Sequence, residues 1–201
     1  WLGASRNSEF QRLLITGADG GAFRVQSSTG YDIENPLISK LWVLDSGEYC
    51  IKLATDPDTT HTGGSITDGT FRDLQLVSKD TGVTQGGIPI TISNDNAKLI
   101  FGLKFDRVFS STIANRLLDI TNSGEGAIYG NSFNDFTAEM HDSSGNISQP
   151  DITTLRVYSD AGQISSNGFT NMFHSGVQGN GVELNGDSVR LNNFSGMRFY
   201  D

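Results

Sequence analysis

The sequence predicts an all-β protein, a right-handed parallel β-helix of about six complete turns and a partial seventh. Two observations on spacing predict it: an apolar pattern that repeats along the chain, and a second apolar segment at a fixed offset from each copy. Composition is the third. Among 201 residues there are 24 glycines and only 18% charged residues, which suits short strands joined by many turns. No helical periodicity competes with this interpretation.

The repeat is an apolar anchor followed five residues later by a second apolar residue, usually Phe, and three residues after that by a third. Copy 1 is imperfect, because its anchor position holds a serine. In chain order, copies 1 to 7 are Ser5-Phe10-Leu13, Ile33-Ile38-Leu41, Ile66-Phe71-Leu74, Ile100-Phe105-Val108, Ile128-Phe133-Phe136, Ile164-Phe169-Met172 and Val189-Phe194-Met197. Self-similarity at such a period indicates a solenoid, in which each copy forms one turn of a coil.

A second strand is predicted at a fixed distance from the middle residue of each copy. In four copies the distance is 13 residues: Phe10 to Phe23, Ile38 to Ile51, Phe105 to Leu118 and Phe169 to Val182. In copies 3 and 5 the equivalent residues, Ile90 and Leu155, follow after 19 and 22 residues. These copies therefore contain insertions, predicted as loops at about 77–89 and 139–154.

Stacking the copies is expected to align equivalent residues into columns inside the coil. The middle residues give one such column: Phe10, Ile38, Phe71, Phe105, Phe133, Phe169 and Phe194. Asn134-Asp135 and Thr170-Asn171 are expected to form a tight corner, since Asn, Asp and Gly suit its backbone angles.

Several polar or reactive residues are predicted to have a structural rather than a functional role. Asn131, Asn167 and Asn192 lie three residues after successive anchors and are predicted to form a side-chain hydrogen-bond ladder rather than a binding site. His174 is expected to point inward as a hydrogen-bonded core histidine. The single cysteine, Cys50, allows no internal disulfide and is expected to be buried.

Charge and hydropathy limit the partners. A net charge of −9 and a pI of about 4.7 argue against nucleic acid and anionic membranes. No apolar run approaches the roughly 18 residues of a membrane span, so membrane insertion is not expected.

No Cys/His cluster indicates zinc, and neither a metal nor a cofactor is predicted. Residues 1–201 are interpreted as one β-helix segment of a larger chain.

These repeats resemble the pectin lyase-like β-helix superfamily, and most of all the β-helical part of phage tailspikes, which bind and often cleave capsule or lipopolysaccharide. The resemblance spans roughly residues 5–201, rests on repeat form, and carries no catalytic motif over. It implies a homotrimeric full-length protein of the virion tail or extracellular space that recognises and depolymerises a bacterial surface polysaccharide, capsule or O-antigen. The alternatives are a non-catalytic receptor-binding or structural β-helix, such as a fibre section or adhesin, and a secreted pectinase-like lyase.

One candidate site is the outward face of the strand that begins at the third apolar position. The next residue in each copy is expected to point outward: Leu14, Trp42, Gln75, Phe109, Thr137, Phe173 and Arg198. The aromatic residues Trp42, Phe109 and Phe173 are candidate substrate-binding residues, because sugar rings stack on aromatic faces. Packing against a neighbouring subunit is the preferred explanation of these residues, and contact with an unseen flanking segment is a further alternative.

The other candidate is a groove between the two insertions, with residues 110–116 as its floor. Its predicted catalytic residues are Glu139, Asp142, Asp80 and His141, and its predicted substrate-binding residues are Arg116 and Asp151. Glycoside hydrolysis needs two carboxyl groups about 5 to 9.5 Å apart. A lyase instead needs a base and a positive group, which His141 and Arg116 would supply. Polar loops without chemistry are the alternative.

Overall fold

A computed structural model describes residues 5–27, 31–55, 64–78, 87–113, 116–141, 153–176 and 181–200. Every regular element among these residues is a β-strand, and every strand pair is parallel. The strands form three stacked sheets, in which each strand pairs with the strand three places along the chain, except that the last strand pairs with the strand four places before it. The protein is therefore all-β with the arrangement of a parallel solenoid.

We name the sheets by their place in the repeat. The anchor sheet contains β1 (Ser5–Arg6), β4 (Ile33–Glu34), β7 (Ile66–Thr67), β10 (Leu99–Phe101), β13 (Ala127–Tyr129), β16 (Gln163–Ser165) and β19 (Val189–Arg190). The long-strand sheet contains β2 (Glu9–Thr16), β5 (Leu37–Ser46), β8 (Thr70–Ser78), β11 (Lys104–Ile113), β14 (Ser132–His141), β17 (Gly168–Ser175), β20 (Asn193–Ser195) and β21 (Arg198–Tyr200). The offset sheet contains β3 (Phe23–Gln26), β6 (Tyr49–Ala54), β9 (Ile88–Asn94), β12 (Leu118–Asn122), β15 (Leu155–Ser159) and β18 (Val182–Asn185).

The register of the anchor sheet follows the predicted repeat. Each anchor is the Cα partner of the next one: Ser5↔Ile33, Ile33↔Ile66, Ile66↔Ile100, Ile100↔Ile128, Ile128↔Ile164 and Ile164↔Val189. The five isoleucine anchors are fully buried. Copy 1 keeps the register although its anchor is a serine. Backbone hydrogen bonding alone is therefore enough to hold β1 in register with β4.

The offset sheet confirms the predicted second strand. Its register runs Phe23↔Ile51, Ile51↔Ile90, Ile90↔Leu118, Leu118↔Leu155 and Leu155↔Val182. The extra residues of copies 3 and 5 thus do not shift the pairing. The loops themselves lie largely outside the described residues.

The inward column of the long-strand sheet is a stack of phenylalanine rings. Successive ring centroids lie 4.5 Å apart for Phe71–Phe105, 5.2 Å for Phe105–Phe133, 4.9 Å for Phe133–Phe169 and 4.7 Å for Phe169–Phe194, with interplanar angles of 5° to 13°. The strand spacing of about 4.8 Å sets these distances. Because the rings are buried, each one stabilises the copies on both of its sides.

The long strands bend at the predicted corner between the second and third apolar residues. All seven corner residues have the left-handed φ that such a bend requires: Arg12, Lys40, Asp73, Arg107, Asp135, Asn171 and Gly196. The expectation of Asn, Asp or Gly was incomplete, because three of these residues are arginine or lysine. Each of those three carries a backbone penalty of about 1 kcal/mol or more, which pairing on both flanks of the corner must offset.

The asparagine ladder is confirmed. The Nδ2 of Asn131 donates to the Oδ1 of Asn167 at 2.9 Å, and the Nδ2 of Asn167 donates to the Oδ1 of Asn192 at 2.9 Å. The backbone N–H of Asn131 also donates to the Oδ1 of Asn167, at 3.1 Å. The ladder satisfies polar groups that are buried at Asn131 and Asn167, which gives these residues a structural role.

The phenylalanine stack generates a stability prediction. Phe133→Ala should lower the free energy of unfolding by about 3 to 5 kcal/mol, because it opens a cavity between two stacked rings. Phe173→Ala is the matched control: its side chain is 42% exposed, so its cost should stay near or below about 1 kcal/mol. Urea unfolding followed by circular dichroism measures both, and equal losses for the two variants would show that the column is not the core.

Candidate functional site

The outward column of the long-strand sheet lies where the repeat places it. Cα partners run Leu14↔Trp42, Trp42↔Gln75, Gln75↔Phe109, Phe109↔Thr137, Thr137↔Phe173 and Phe173↔Arg198. We call the five central residues, Trp42, Gln75, Phe109, Thr137 and Phe173, the aromatic face. Trp42 and Phe173 are 44% and 42% exposed, which is unusual for side chains of this size.

A surface depression of about 510 Å³ lies on this face. Trp42 and Phe109 are both in its lining, and they stand two strands apart with Gln75 between them. The corner residues Asp73, Arg107 and Asp135 complete the polar part of the lining, together with Thr137. The depression therefore combines aromatic surface with amide, hydroxyl, carboxylate and guanidinium groups.

An ion pair fixes the charges beside the depression. The Nε of Arg107 donates to the Oδ1 of Asp73 at 2.7 Å, and its guanidinium also contacts Asp106. The hydrogen bond from Arg107 lowers the pKa of Asp73, and the same bond raises the pKa of Arg107. Asp73 is thus held ionised, and Arg107 is already engaged by two carboxylates.

The structure brings some predicted site residues together. Phe173 lies two strands beyond Phe109 in the same column. Glu139 is on β14, two residues after Thr137 and facing the same way, and it pairs in register with Ser111 and Ser175. Glu139 therefore lies beside the aromatic face rather than in a separate cleft.

Other predicted residues are not brought to this face. Arg116 precedes β12 of the offset sheet. The backbone of His141 ends β14 in register with Ile113, and its side chain is not described. Asp80, Asp142 and Asp151 lie outside the described residues. The groove between the two insertions stays a prediction.

The sequence did not predict Asp73, Arg107 or Asp135 as site residues. They occupy the corner position that the repeat identified, next to the outward residues, so their place beside the aromatic face followed from the register. The register did not identify them as site residues, because the ion pair between Arg107 and Asp73 depends on how far each side chain extends.

The two carboxylates in the depression do not make a good hydrolytic pair. Asp73 and Asp135 lie two strands apart, roughly 10 Å between their backbones, with Arg107 between them. A general acid needs a raised pKa, whereas Arg107 lowers the pKa of Asp73. The arrangement is better suited to binding than to acid catalysis.

The offset sheet carries a different polar pair on its outward side. Arg156 donates from Nε and Nη2 to the two carboxylate oxygens of Asp119, at 2.7 Å each, across two paired strands. The hydrogen bond to Asp119 raises the pKa of Arg156. Both groups satisfy each other, so we interpret this pair as structural.

Comparison of this chain with family models, curated proteins and solved structures found no match to any of them. Within the described ranges, no group of three or more His, Cys, Asp or Glu side chains is arranged to hold a metal ion. The same part of the chain has no helix with the length and apolar character needed to cross a membrane.

His174 lies inside the coil, directly below the aromatic face. It is fully buried in register with Ala138, which pairs in turn with Ser110, and its ring packs 5.2 Å from that of Phe199. The expected core location is confirmed, but the expected hydrogen bond was wrong: no described residue bonds to either ring nitrogen. Burial lowers the pKa of His174 from 6.5 to about 4.

His174 should make the fold sensitive to acid. The unfolded chain takes up this proton near pH 6.5 and the folded chain only near pH 4, so stability is retained above this window and falls as pH decreases through it. The loss should approach about 3 kcal/mol, at about 1.4 kcal/mol per pKa unit.

The measurement is urea unfolding from pH 7.5 to pH 4 for wild type and His174→Leu. The carboxylates contribute equally to both proteins, so the difference between the two curves isolates His174. Parallel stability curves would contradict the assignment.

Proposed function

We propose that this protein binds a bacterial surface polysaccharide, capsule or O-antigen, on the aromatic face. The main observation that supports this proposal is the depression, in which Trp42 and Phe109 lie on either side of Gln75. Asp73 and Asp135 also line it. A sugar ring has an apolar face that suits aromatic stacking and hydroxyl groups that suit amide and carboxylate partners. A site with aromatic walls and a few placed polar groups is also the usual form of a ligand pocket.

The location of the site on a sheet face supports an extended ligand. The aromatic face runs across five neighbouring strands, from β5 to β17, along the stacking direction. An open surface of this kind admits the middle of a polymer, whereas a closed pocket would admit only a free end. A rigid sheet also holds its side chains in place without ligand, which lowers the ordering cost of binding.

We propose recognition without cleavage as the activity of the described residues. Asp73 is paired with Arg107, and of the predicted catalytic residues only the side chain of Glu139 is described. Depolymerisation would need Asp80, Asp142 or His141 to join Glu139 in one cleft. Release of reducing ends or unsaturated products from the bound polysaccharide would show that they do.

The architecture that we propose for the whole chain is a right-handed β-helix with six complete turns and the start of a seventh. Together with the aromatic face, this is the form of a phage tailspike section, in the virion tail or an extracellular setting. A homotrimeric full-length protein belongs to the same proposal. The register of the repeats supports the β-helix, and no relative supports the tailspike section or the homotrimer.

A second copy of the chain is the other candidate partner of the aromatic face. Phe173 stacks on Tyr200 with ring centroids 5.0 Å apart, and both are substantially exposed. However, exposed Gln75 and Thr137 interrupt the aromatic residues, and charged corner residues flank them. The centre of a stable protein interface is depleted in charged groups, so the polysaccharide is favoured.

The test is retention on immobilised capsular and O-antigen polysaccharides from a panel of bacteria. Trp42→Ala should weaken binding about tenfold, equivalent to about 1.4 kcal/mol, because it removes one stacking surface. Leu14→Ala is the matched control, since Leu14 is an exposed apolar residue of the same column outside the depression, and its binding should not change.

Light scattering on the same proteins separates the two candidates. If Trp42→Ala dissociates an oligomer while no polysaccharide is retained by either protein, the face is a subunit interface and the proposal is wrong.

A further inference from the structure

The aromatic face alternates between two kinds of copy. Copies 2, 4 and 6 present an aromatic residue outward, and copies 3 and 5 present a polar one. In order, the five residues are Trp42, Gln75, Phe109, Thr137 and Phe173, joined strand to strand by direct Cα pairing. The pattern therefore has a period of two copies, or about 10 Å.

The corner residues alternate in the same phase. Aromatic copies 2 and 4 carry the basic corner residues Lys40 and Arg107, and polar copies 3 and 5 carry the acidic residues Asp73 and Asp135. Copy 6 has the neutral residue Asn171, and copies 1 and 7 do not follow the pattern. Two adjacent columns thus share one two-copy period over the middle of the sheet.

The stability of the fold explains the alternation in the corner column but not the alternation in the outward column. Opposite charges on neighbouring strands attract, as in the Arg107–Asp73 ion pair, so alternation of charge at the corner has a structural reason. Alternation of aromatic and polar residues on the exposed face has none, since a continuous aromatic column would stack at least as well. From β8 to β17 the buried column of the same strands is a continuous run of phenylalanines.

We infer that the ligand is a linear polysaccharide whose backbone repeats every two sugars and lies parallel to the stacking direction. This inference rests on the proposed function and specifies its substrate class. The step from one strand to the next is comparable to the length of one sugar in an extended chain. Successive sugars would then meet alternately an aromatic surface with a basic corner and a polar surface with an acidic corner. A repeat of two sugars, or of any even number of sugars, stays in phase with that surface along its length.

The local charges favour a backbone that is neutral at these positions. Arg107 is engaged by Asp73 and Asp106, so its charge is already compensated, and Asp135 also lines the depression. Within the depression, a carboxylate on the bound sugar would meet the carboxylates of Asp73 and Asp135 and only one guanidinium, which is already paired, in a chain whose net charge is −9. Hydroxyl and acetamido groups can accept from Arg107 and Gln75 and donate to Asp73 and Asp135.

The decisive variant exchanges two outward residues. The double substitution Phe109→Thr with Thr137→Phe keeps the composition, the net charge and the number of aromatic residues of the face. It moves the middle aromatic residue by one copy and so breaks the two-copy spacing. The matched control, Leu14→Ala, changes an exposed residue of the same column outside the depression and leaves the spacing of the aromatic face intact. Thermal unfolding checks that each variant keeps its fold.

The experiment measures the Kd of each protein for the purified capsular and O-antigen polysaccharides of the panel, sorted by the number of backbone sugars per repeat. We expect the retained polysaccharides to have even backbone repeats, the exchanged variant to bind them at least tenfold more weakly, and Leu14→Ala to bind within threefold of wild type. If wild type retains a polysaccharide with an odd backbone repeat, or if the exchange leaves the Kd unchanged, the two-sugar inference is overturned and the binding function stands. If no polysaccharide is retained at all, the proposed function fails and the inference with it.

Discussion

Parallel stacking in a single register is the constraint on which the rest of this structure depends. Neighbouring strands lie about 4.8 Å apart, so the repeat residues of one copy sit directly beside their equivalents in the next, although the register shifts between Val43 and Ser46 where β5 pairs with β8. Inside the coil this aligns Phe105, Phe133 and Phe169 ring on ring. It also aligns Asn131 with Asn167, so that one amide satisfies the next. Outside the coil, the same register builds the aromatic face from residues about 30 positions apart.

The sequence predicted these columns because register is encoded in spacing alone. Ile90 and Leu155 were placed in their column despite insertions, since the apolar alternation of each segment marks its strand independently of loop length. Features that depend on side-chain reach were not predictable in this way. The bond from Arg107 to Asp73 and the missing hydrogen bonds of His174 both needed the positions of neighbouring atoms.

The sequence predicted two candidate sites, and the described residues contain the outward aromatic face but not most of the insertion loops. Sequence reasoning placed catalysis in the insertion loops, because loops on a rigid solenoid often carry function. The described residues instead concentrate their unusual features on a sheet face: exposed Trp42, a depression, and basic residues in left-handed conformation at the adjacent corner. The bend of the long strands imposes that conformation at every corner, so the exposed Trp42 and the depression are what distinguish this face. This agrees with a site on the sheet face, and the groove between the two insertions stays a prediction.

The most direct test of the register is a set of distances between spin labels along the outward column. In a Cys50→Ala background, Leu14→Cys would be combined in turn with Thr137→Cys, Phe173→Cys and Arg198→Cys, and each pair measured by double electron–electron resonance. These partners lie four, five and six copies away, so the mean distances should be about 19, 24 and 29 Å, rising by about 5 Å per copy. Distances that do not increase in this order, or that increase by unequal steps, would contradict a single stacked register.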